Sequence, residues 1–217
     1  MTARDKILER VRRAAEGRAR DVDAVEARMR DLPQAAPVPT QAKPAAAECV
    51  RQFISMAEGA DTTVSRIRSP DDLPQALAEE LRRRNLPAVV RTGTDPLFDR
   101  DWGTVERTVG PGRVEEPVTM SRAELGLAET GTLMLLSGPA NPVTLTFLGE
   151  THFAVLDAAD VVPGFEEMWA EWRRRGIDSR TVNLVTGPSR SADIGQTLQL
   201  GAHGPVALHV FVVGAEG

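Results

Sequence analysis

The most informative pattern in the chain lies in VNLVTGPSRSADIGQTLQLGAHGP, residues 182–205. Its apolar start, Val182–Val185, is typical of a buried strand, and the Thr-Gly-Pro turn after it ends that strand. The polar segment SRSAD follows, ahead of Ile194 and Leu198 at helical spacing. This pattern predicts a strand, a glycine turn and the start of a helix, where free backbone N–H groups favour an anion.

A second polar turn, GAHGP at residues 201–205, precedes a last apolar strand at residues 208–213. Two glycine-bounded polar loops between apolar strands predict an edge where a ligand binds. Arg190 adds a planar cation suited to a carboxylate or phosphate, and His203 is a group that can move a proton at neutral pH.

Each of these residues also has a purely structural interpretation. Ser189 or Ser191 is equally suited to cap a helix, and Asp193 to sit in its first turn, where an acid favours the helix dipole. His203 is, on this interpretation, a polar loop residue without a partner. The pattern alone leaves both interpretations open.

Two segments carry a resemblance to a known family. GPSRSADIGQTLQLGAHGP, from Gly187, and AETGTLMLLSG, from Ala128, resemble the lactate utilisation protein C family, which has the LUD domain. The resemblance implies an α/β fold related to the sugar-phosphate isomerase and CoA-transferase superfamily. It also implies a role in bacterial oxidation of L-lactate to pyruvate, together with partner proteins that carry iron–sulfur clusters.

Glu129 is the acid that stands out. It lies between small residues, directly before an apolar strand at residues 133–136, where a buried carboxylate needs a partner or a chemical role. By fold-level analogy only, its setting is similar to that of the nucleophilic glutamate of CoA transferases. The structural alternative is a carboxylate held by Thr130, Thr132 or backbone N–H groups.

We predict that Glu129, Thr130, Ser189, Arg190, Asp193 and His203 meet in one pocket at the edge of the sheet. This requires the strand at 133–136 to run antiparallel to Val182–Val185, or the turn before it to fold over. Glu129 and His203 are the candidate catalytic residues. The candidate ligand-binding residues are Thr130, Gly131, Thr132, Gly187, Ser189, Arg190, Ser191, Asp193 and Gly204.

The alternation of strand and helix patterns from Thr62 to Val213 predicts one α/β domain. Its central sheet should be mainly parallel, with helices on both faces. Within it, Ser69 and Pro70 begin a helix whose buried face carries Leu73, Leu77 and Leu81. The strands that flank this helix are predicted to form a parallel pair. A further helix is predicted at residues 160–175.

Residues 1–47 are predicted to be an appendage to this domain at residues 48–217. Residues 1–29 have an amphipathic helical pattern, and either packing on the domain or docking on a partner would cover its apolar face. The segment LPQAAPVPTQAKPAAA, residues 32–47, is rich in proline and alanine and predicts an exposed, semi-stiff linker.

Composition excludes several classes of function. A net charge of −5 and the absence of tyrosine disfavour nucleic-acid binding. No apolar run approaches the ~20 residues of a membrane span, and the first 20 residues lack the core of a secretory signal. Cys49 is the single cysteine, which excludes a disulfide framework and favours the cytoplasm.

One cysteine also cannot supply the four thiolates that usually hold an iron–sulfur cluster. The three histidines show no metal-ligand spacing, and no dinucleotide fingerprint is present. We therefore expect no cofactor or metal on this chain alone, with iron–sulfur clusters on partner proteins.

Three functions fit these observations. The first is a subunit of an L-lactate utilisation system that binds a small anionic ligand or a partner and has no redox centre. The second is a CoA-transferase-like or isomerase-like enzyme that uses Glu129. The third is a non-catalytic scaffold protein.

Overall fold

The computed structural model describes residues 2–16, 23–24, 27, 38–114, 116–191, 199–200 and 204–214. The chain divides into two compact units, Met1–Val38 and Pro39–Gly217. In the smaller unit, helix α1 spans Ala3–Glu16, and residues 23, 24 and 27 are also helical. The apolar side chains that gave the amphipathic pattern of α1, Ile7 and Val11 among them, are exposed.

The larger unit contains the remaining helices and all the described strands. The helices are α2 (Ala46–Gly59), α3 (Leu73–Arg83), α4 (Val143–Leu148) and α5 (Phe165–Arg175). The strands are β1 (Thr63–Ile67), β2 (Val89–Thr92), β3 (Glu106–Val109), β4 (Val118–Arg122), β5 (Leu125–Leu127), β6 (Thr132–Leu136), β7 (Thr151–Asp157), β8 (Val161–Val162), β9 (Val182–Val185), β10 (Arg190–Ser191), β11 (Gln199–Leu200) and β12 (Ala207–Val213).

Six strands form an entirely parallel sheet in the order β1-β12-β7-β4-β2-β3. The last strand of the chain, β12, lies inside this sheet between β1 and β7. Its continuous apolar run is what a strand covered on both faces requires. The predicted α/β fold with a mainly parallel sheet is therefore confirmed.

Helices cover both faces of the parallel sheet, because alternate residues of each strand point to opposite sides. On one face, Leu73, Leu77 and Leu81 of α3 pack on Phe153 and Phe211. On the other face, α2 packs on alternate residues of β7 and β12 through its apolar side, which consists of Cys49, Phe53 and Ala57.

Ser69 caps the turn that leads into α3, as the sequence predicts. Its hydroxyl accepts a hydrogen bond from the Asp71 N–H (3.2 Å), and the Asp72 carboxylate accepts one from the Ser69 N–H (3.1 Å). This reciprocal pair satisfies N–H groups that the first turn of a helix leaves free.

A second, four-stranded sheet in the order β8-β5-β6-β9 is built onto the α2 side. Leu133 and Leu135 of β6 join the core formed with α2, whereas Met134 faces α5 and packs with Met168. The second sheet is therefore a layer between the main core and α5.

Four local predictions need correction. Strands β1 and β2 share a sheet but are not neighbours, because β12, β7 and β4 lie between them. Val182–Val185 is a half-exposed strand of the second sheet and not a buried strand of the main sheet. The helix predicted at residues 160–175 begins only at Phe165. Arg190 and Ser191 form a strand paired with β11 in place of a helix start.

The proline- and alanine-rich segment at residues 32–47 is described from residue 38 onward. Although an exposed linker was predicted, Ala42 is buried, and the Gln41 carbonyl accepts a hydrogen bond from the Gln52 side chain of α2 (2.5 Å). The small alanine side chain fits against the domain, which is why part of this segment packs.

Candidate functional site

Strand β6 runs antiparallel to β9, with Leu133 opposite Val185. This is the geometry that the predicted pocket requires, since it puts the turn before β6 beside the loop after β9. A chain of hydroxyls joins the two segments: Thr130 Oγ1 lies 2.6 Å from Thr132 Oγ1, which lies 2.6 Å from Thr186 Oγ1. Two of the predicted motifs therefore meet at one end of the second sheet.

Two glycines allow both segments to press against the C-terminal end of α2. Gly131 has a φ of +67°, and a Cβ atom there would lie 2.2 Å from the Ala57 nitrogen. Gly187 has a φ of +75°, and its Cβ would lie 2.2 Å from the Ala60 carbonyl oxygen. Only glycine fits these positions, because each combines left-handed backbone with no space for a side chain.

Glu129 is 8% exposed, and its carboxylate points away from the hydroxyl chain. The Glu129 N–H donates to the Pro163 carbonyl (2.9 Å), and its Oε2 lies beside Gly164 at the start of α5. The Thr130 hydroxyl bonds that of Thr132, which also bonds that of Thr186. Neither threonine therefore holds the Glu129 carboxylate. Within the described part of the chain, no group donates a hydrogen bond to the Glu129 carboxylate.

Of the six remaining predicted residues, the structure describes four and leaves two out. The Ser189 N–H donates to the Pro205 carbonyl (2.9 Å), and Gly204 packs close to the Ser189 Cβ. Arg190 forms an ion pair with Asp61 just after α2, so its guanidinium already has a carboxylate partner. Ser191 lies in β10, whereas Asp193 and His203 fall outside the described residues.

A cleft that the sequence analysis missed lies at the carboxyl ends of the parallel strands. Its volume is about 420 Å³, within the range of small-molecule sites, and this end of an open α/β sheet is where ligands usually bind. The residues that line it include Pro70, Asp95, Leu97, Arg122, Val155, Asp157 and Val213.

Arg122 is the cation of this cleft. It is the last residue of β4, where it pairs with Val155 of β7, and its side chain is 43% exposed. Its nearest carboxylate, that of Asp160, lies 4.0 Å away, and this acid is also bound by Arg175 at 2.5 Å. No described residue accepts a hydrogen bond from the Arg122 guanidinium, which leaves it available to a ligand.

A smaller cavity of about 180 Å³ adjoins the cleft and shares Asp95 and Arg122 with it. Asn141 lines this cavity and donates through Nδ2 to the Arg122 carbonyl (3.0 Å). The Asn141 Oδ1 is buried without a partner among the described residues. One feature of the sequence could have indicated this region: the strands β4 and β7 end in the charged residues Arg122 and Asp157.

A third cavity, of about 560 Å³, lies toward the amino ends of β1 and β12. Glu80 Oε2 accepts there from Arg83 (2.6 Å) and from the neighbouring Arg84 (3.1 Å). His209 Nδ1 lies 2.7 Å from Thr63 Oγ1, and burial lowers the pKa of His209 to about 4. This cavity is larger, but Arg83, the arginine that lines it, already bonds Glu80, so we favour the cleft at Arg122.

His152 lies in the core, where its role is structural. It is fully buried, with Nδ1 2.9 Å from Thr119 Oγ1 and Nε2 2.8 Å from Ser121 Oγ. Because the Thr119 hydroxyl donates to the Leu145 carbonyl (2.7 Å), it must accept from Nδ1–H, which leaves Nε2 to accept from Ser121. Burial lowers the pKa of His152 to about 4, so the imidazole is neutral at pH 7.

The described helices include none that is long and apolar enough to cross a membrane. The described part of the chain, helices and other segments alike, contains no cluster of three or more histidine, cysteine or acidic side chains that could hold a metal ion.

Comparison with known proteins supports the fold first. The chain is similar to a DUF162 family protein of Deinococcus radiodurans whose crystal structure is known, with a TM-score of 0.58 and 20% identity. The match covers 79% of this chain and all of that one.

Curated relatives match part of the chain. Lactate utilization protein C of Anoxybacillus flavithermus is 34% identical over 44% of this chain and 43% of its own length. The protein of the same name in Halalkalibacterium halodurans is 29% identical over 66% of this chain and 70% of its own. An uncharacterized Neisseria meningitidis protein is 38% identical over 43% of this chain and 40% of its own length.

The chain spans about two-fifths of the length of the first curated relatives it matches. The family model of the LUD domain matches residues 117–213, from just before β4 to the end of β12. This region contains both motifs of the resemblance and Arg122. The chain therefore contains a region similar to the LUD domain, and it is similar to proteins named lactate utilization protein C.

Proposed function

We propose that this chain is a component of a bacterial lactate utilisation system that oxidises L-lactate to pyruvate. The observation that carries this proposal is the similarity of the chain to proteins named lactate utilization protein C, together with its match to the LUD domain model. In this system the chain binds a small anionic ligand or a partner protein, and the redox centres reside elsewhere.

The position of Cys49 supports redox centres on partner proteins. This single cysteine is 4% exposed and packs among Phe53 and Ala57, and burial raises the pKa of its thiol. A protonated thiol in an apolar core is a poor metal ligand. Iron–sulfur partner proteins would therefore carry the electrons, while this chain holds the organic acid or organises the assembly.

The test is growth on L-lactate as the carbon source. We expect a strain without the gene to stop growing on L-lactate, to grow normally on pyruvate, and to recover when the full-length gene is returned. Pyruvate is the matched control because it enters metabolism after the proposed oxidation. Normal growth of the deletion strain on L-lactate would contradict the proposal.

A second candidate function is a transferase or isomerase that uses Glu129 as nucleophile or base. It is favoured by one observation: Glu129 is 8% exposed, yet no described residue donates a hydrogen bond to its carboxylate. Glu167, whose Oε2 also lies beside Gly164, offers a matched control. On this alternative, the purified protein should have CoA-transferase or isomerase activity that Glu129→Gln abolishes and Glu167→Gln keeps; equal activity of both variants would reject it.

A further inference from the structure

We propose that the cleft at the carboxyl ends of the parallel strands binds a 2-hydroxy acid, with the Arg122 guanidinium on its carboxylate. The choice of 2-hydroxy acids as the class rests on the proposed function. The location of the site rests on the structure alone, through the cleft and its unbonded cation.

Three other arginines near this end of the sheet already have partners. Arg100 donates to the Leu97 carbonyl (2.7 Å), and Arg107 donates to the Thr92 hydroxyl (2.9 Å). Arg91 is paired with Glu116. Arg122 is the arginine among the residues that line the cleft, no described residue accepts a hydrogen bond from its guanidinium, and its planar fork suits a carboxylate.

The backbone that carries Arg122 is held from two sides. Its position at the end of β4 is set by the parallel pairing with β7, and its carbonyl accepts from Asn141 Nδ2. A half-exposed side chain on a fixed strand end can reorient onto a ligand without moving the sheet. Sites on rigid elements lose less conformational freedom on binding than sites on loops.

Two acids in the cleft, Asp95 and Asp157, oppose a ligand of high negative charge. Asp95 Oδ1 accepts from the Leu97 N–H (2.8 Å) and Asp157 Oδ1 from the Ala159 N–H (2.9 Å). These bonds fix the carboxylates and leave their second oxygens to accept from a ligand hydroxyl. One guanidinium beside two carboxylates favours a monoanion with a hydroxyl group over a phosphate dianion.

The apolar wall of the cleft predicts how affinity depends on the ligand's side chain. Pro70, Leu97, Val155 and Val213 line it, and the volume of about 420 Å³ exceeds what lactate fills. Each additional methylene buried against this wall should tighten binding about fourfold. L-2-Hydroxyhexanoate should therefore bind at least tenfold more tightly than L-lactate.

The test is calorimetric titration of the full-length protein with L-lactate, L-2-hydroxyhexanoate and inorganic phosphate. We expect L-2-hydroxyhexanoate to bind most tightly and phosphate most weakly. Arg122→Gln should weaken binding of the hydroxy acid at least tenfold with an unchanged melting temperature, because the side chain is half-exposed and its ion pair is long. Arg173→Gln, on the exposed side of α5, is the matched control and should bind as the wild type does.

Three results would overturn the proposal. One is the absence of binding by either hydroxy acid, and another is phosphate as the tightest of the three ligands. The third is loss of binding in Arg190→Gln with full binding in Arg122→Gln, which would place the anion at the loop after β9.

The two proposals fail in different ways. If the deletion strain cannot use L-lactate and neither hydroxy acid binds, the lactate role stands and the Arg122 site is wrong. If the hydroxy acids bind through Arg122 and the deletion strain grows normally on L-lactate, the site stands and the lactate role is wrong.

Discussion

Gly131 and Gly176 have nearly the same backbone conformation in different surroundings. Their φ angles are +67° and +62°, but a Cβ at Gly131 would lie 2.2 Å from the Ala57 nitrogen, whereas a Cβ at Gly176 would meet nothing within 4 Å. The pair therefore separates the conformational cost of a left-handed residue from the cost of a steric clash with α2.

We predict that Gly176→Ala lowers the free energy of unfolding by about 1 kcal/mol, the conformational cost alone. Gly131→Ala should lower it by about 3 kcal/mol or more, because the turn must also move away from α2. Calorimetry measures both as changes in melting temperature, of roughly 3 °C and at least roughly 8 °C. Equal changes would mean that the turn before β6 does not pack on α2.

In addition to its apolar face, helix α5 is linked to the second sheet by one arginine. Arg175 contacts Glu171 (2.8 Å) on its own helix, Glu124 (2.6 Å) at the start of β5, and Asp160 (2.5 Å) ahead of β8. Its side chain is 20% exposed. The neighbouring Arg174 also bonds Glu171 (2.5 Å), but it is 72% exposed.

We predict that Arg175→Gln lowers the free energy of unfolding by about 2 kcal/mol, because Glu124 and Asp160 lose the cation that lies between them. Arg174→Gln should change it by less than about 0.5 kcal/mol, as expected of an exposed pair within a helix. Urea unfolding of the two variants gives the comparison. Equal effects would show that α5 is held by its apolar face alone.

Across the whole molecule, two buried histidines couple stability to pH. His152 and His209 are 0% and 1% exposed, and burial lowers the pKa of each to about 4 from 6.5. Glu80 beside His209 opposes that shift, and Arg84 and Arg83 reinforce it. Between pH 6.5 and 4 the unfolded chain binds protons that the folded chain does not, so folding weakens as pH falls.

We predict that the free energy of unfolding falls by about 2 kcal/mol for each of these histidines between pH 7 and pH 5. Urea unfolding at several pH values measures this slope. His152→Gln, which keeps hydrogen-bonding groups but cannot titrate in this range, should remove about half of it. A slope in His152→Gln equal to that of the wild type would mean that folding does not lower the pKa of His152.

Local pattern was enough for several elements of the fold and for its class. The Ser69 cap and the spacing of Leu73, Leu77 and Leu81 predicted α3, because capping and helical periodicity are determined by residues a few positions apart. The apolar runs at β6, β7 and β12 predicted strands for the same reason, and their alternation with helices predicted an α/β sheet. The two long motifs pointed to the family.

Only the tertiary structure shows which strands pair with each other. β12, last in the chain, lies between β1 and β7, and β9 joins a second sheet, because strand order depends on contacts between residues that are far apart along the chain, such as Thr63 and His209 or Leu133 and Val185. The same pairings bring the ends of β4 and β7 together and so create the cleft around Arg122. A side chain's local sequence cannot show that its neighbours across the sheet leave it unbonded beside a cavity.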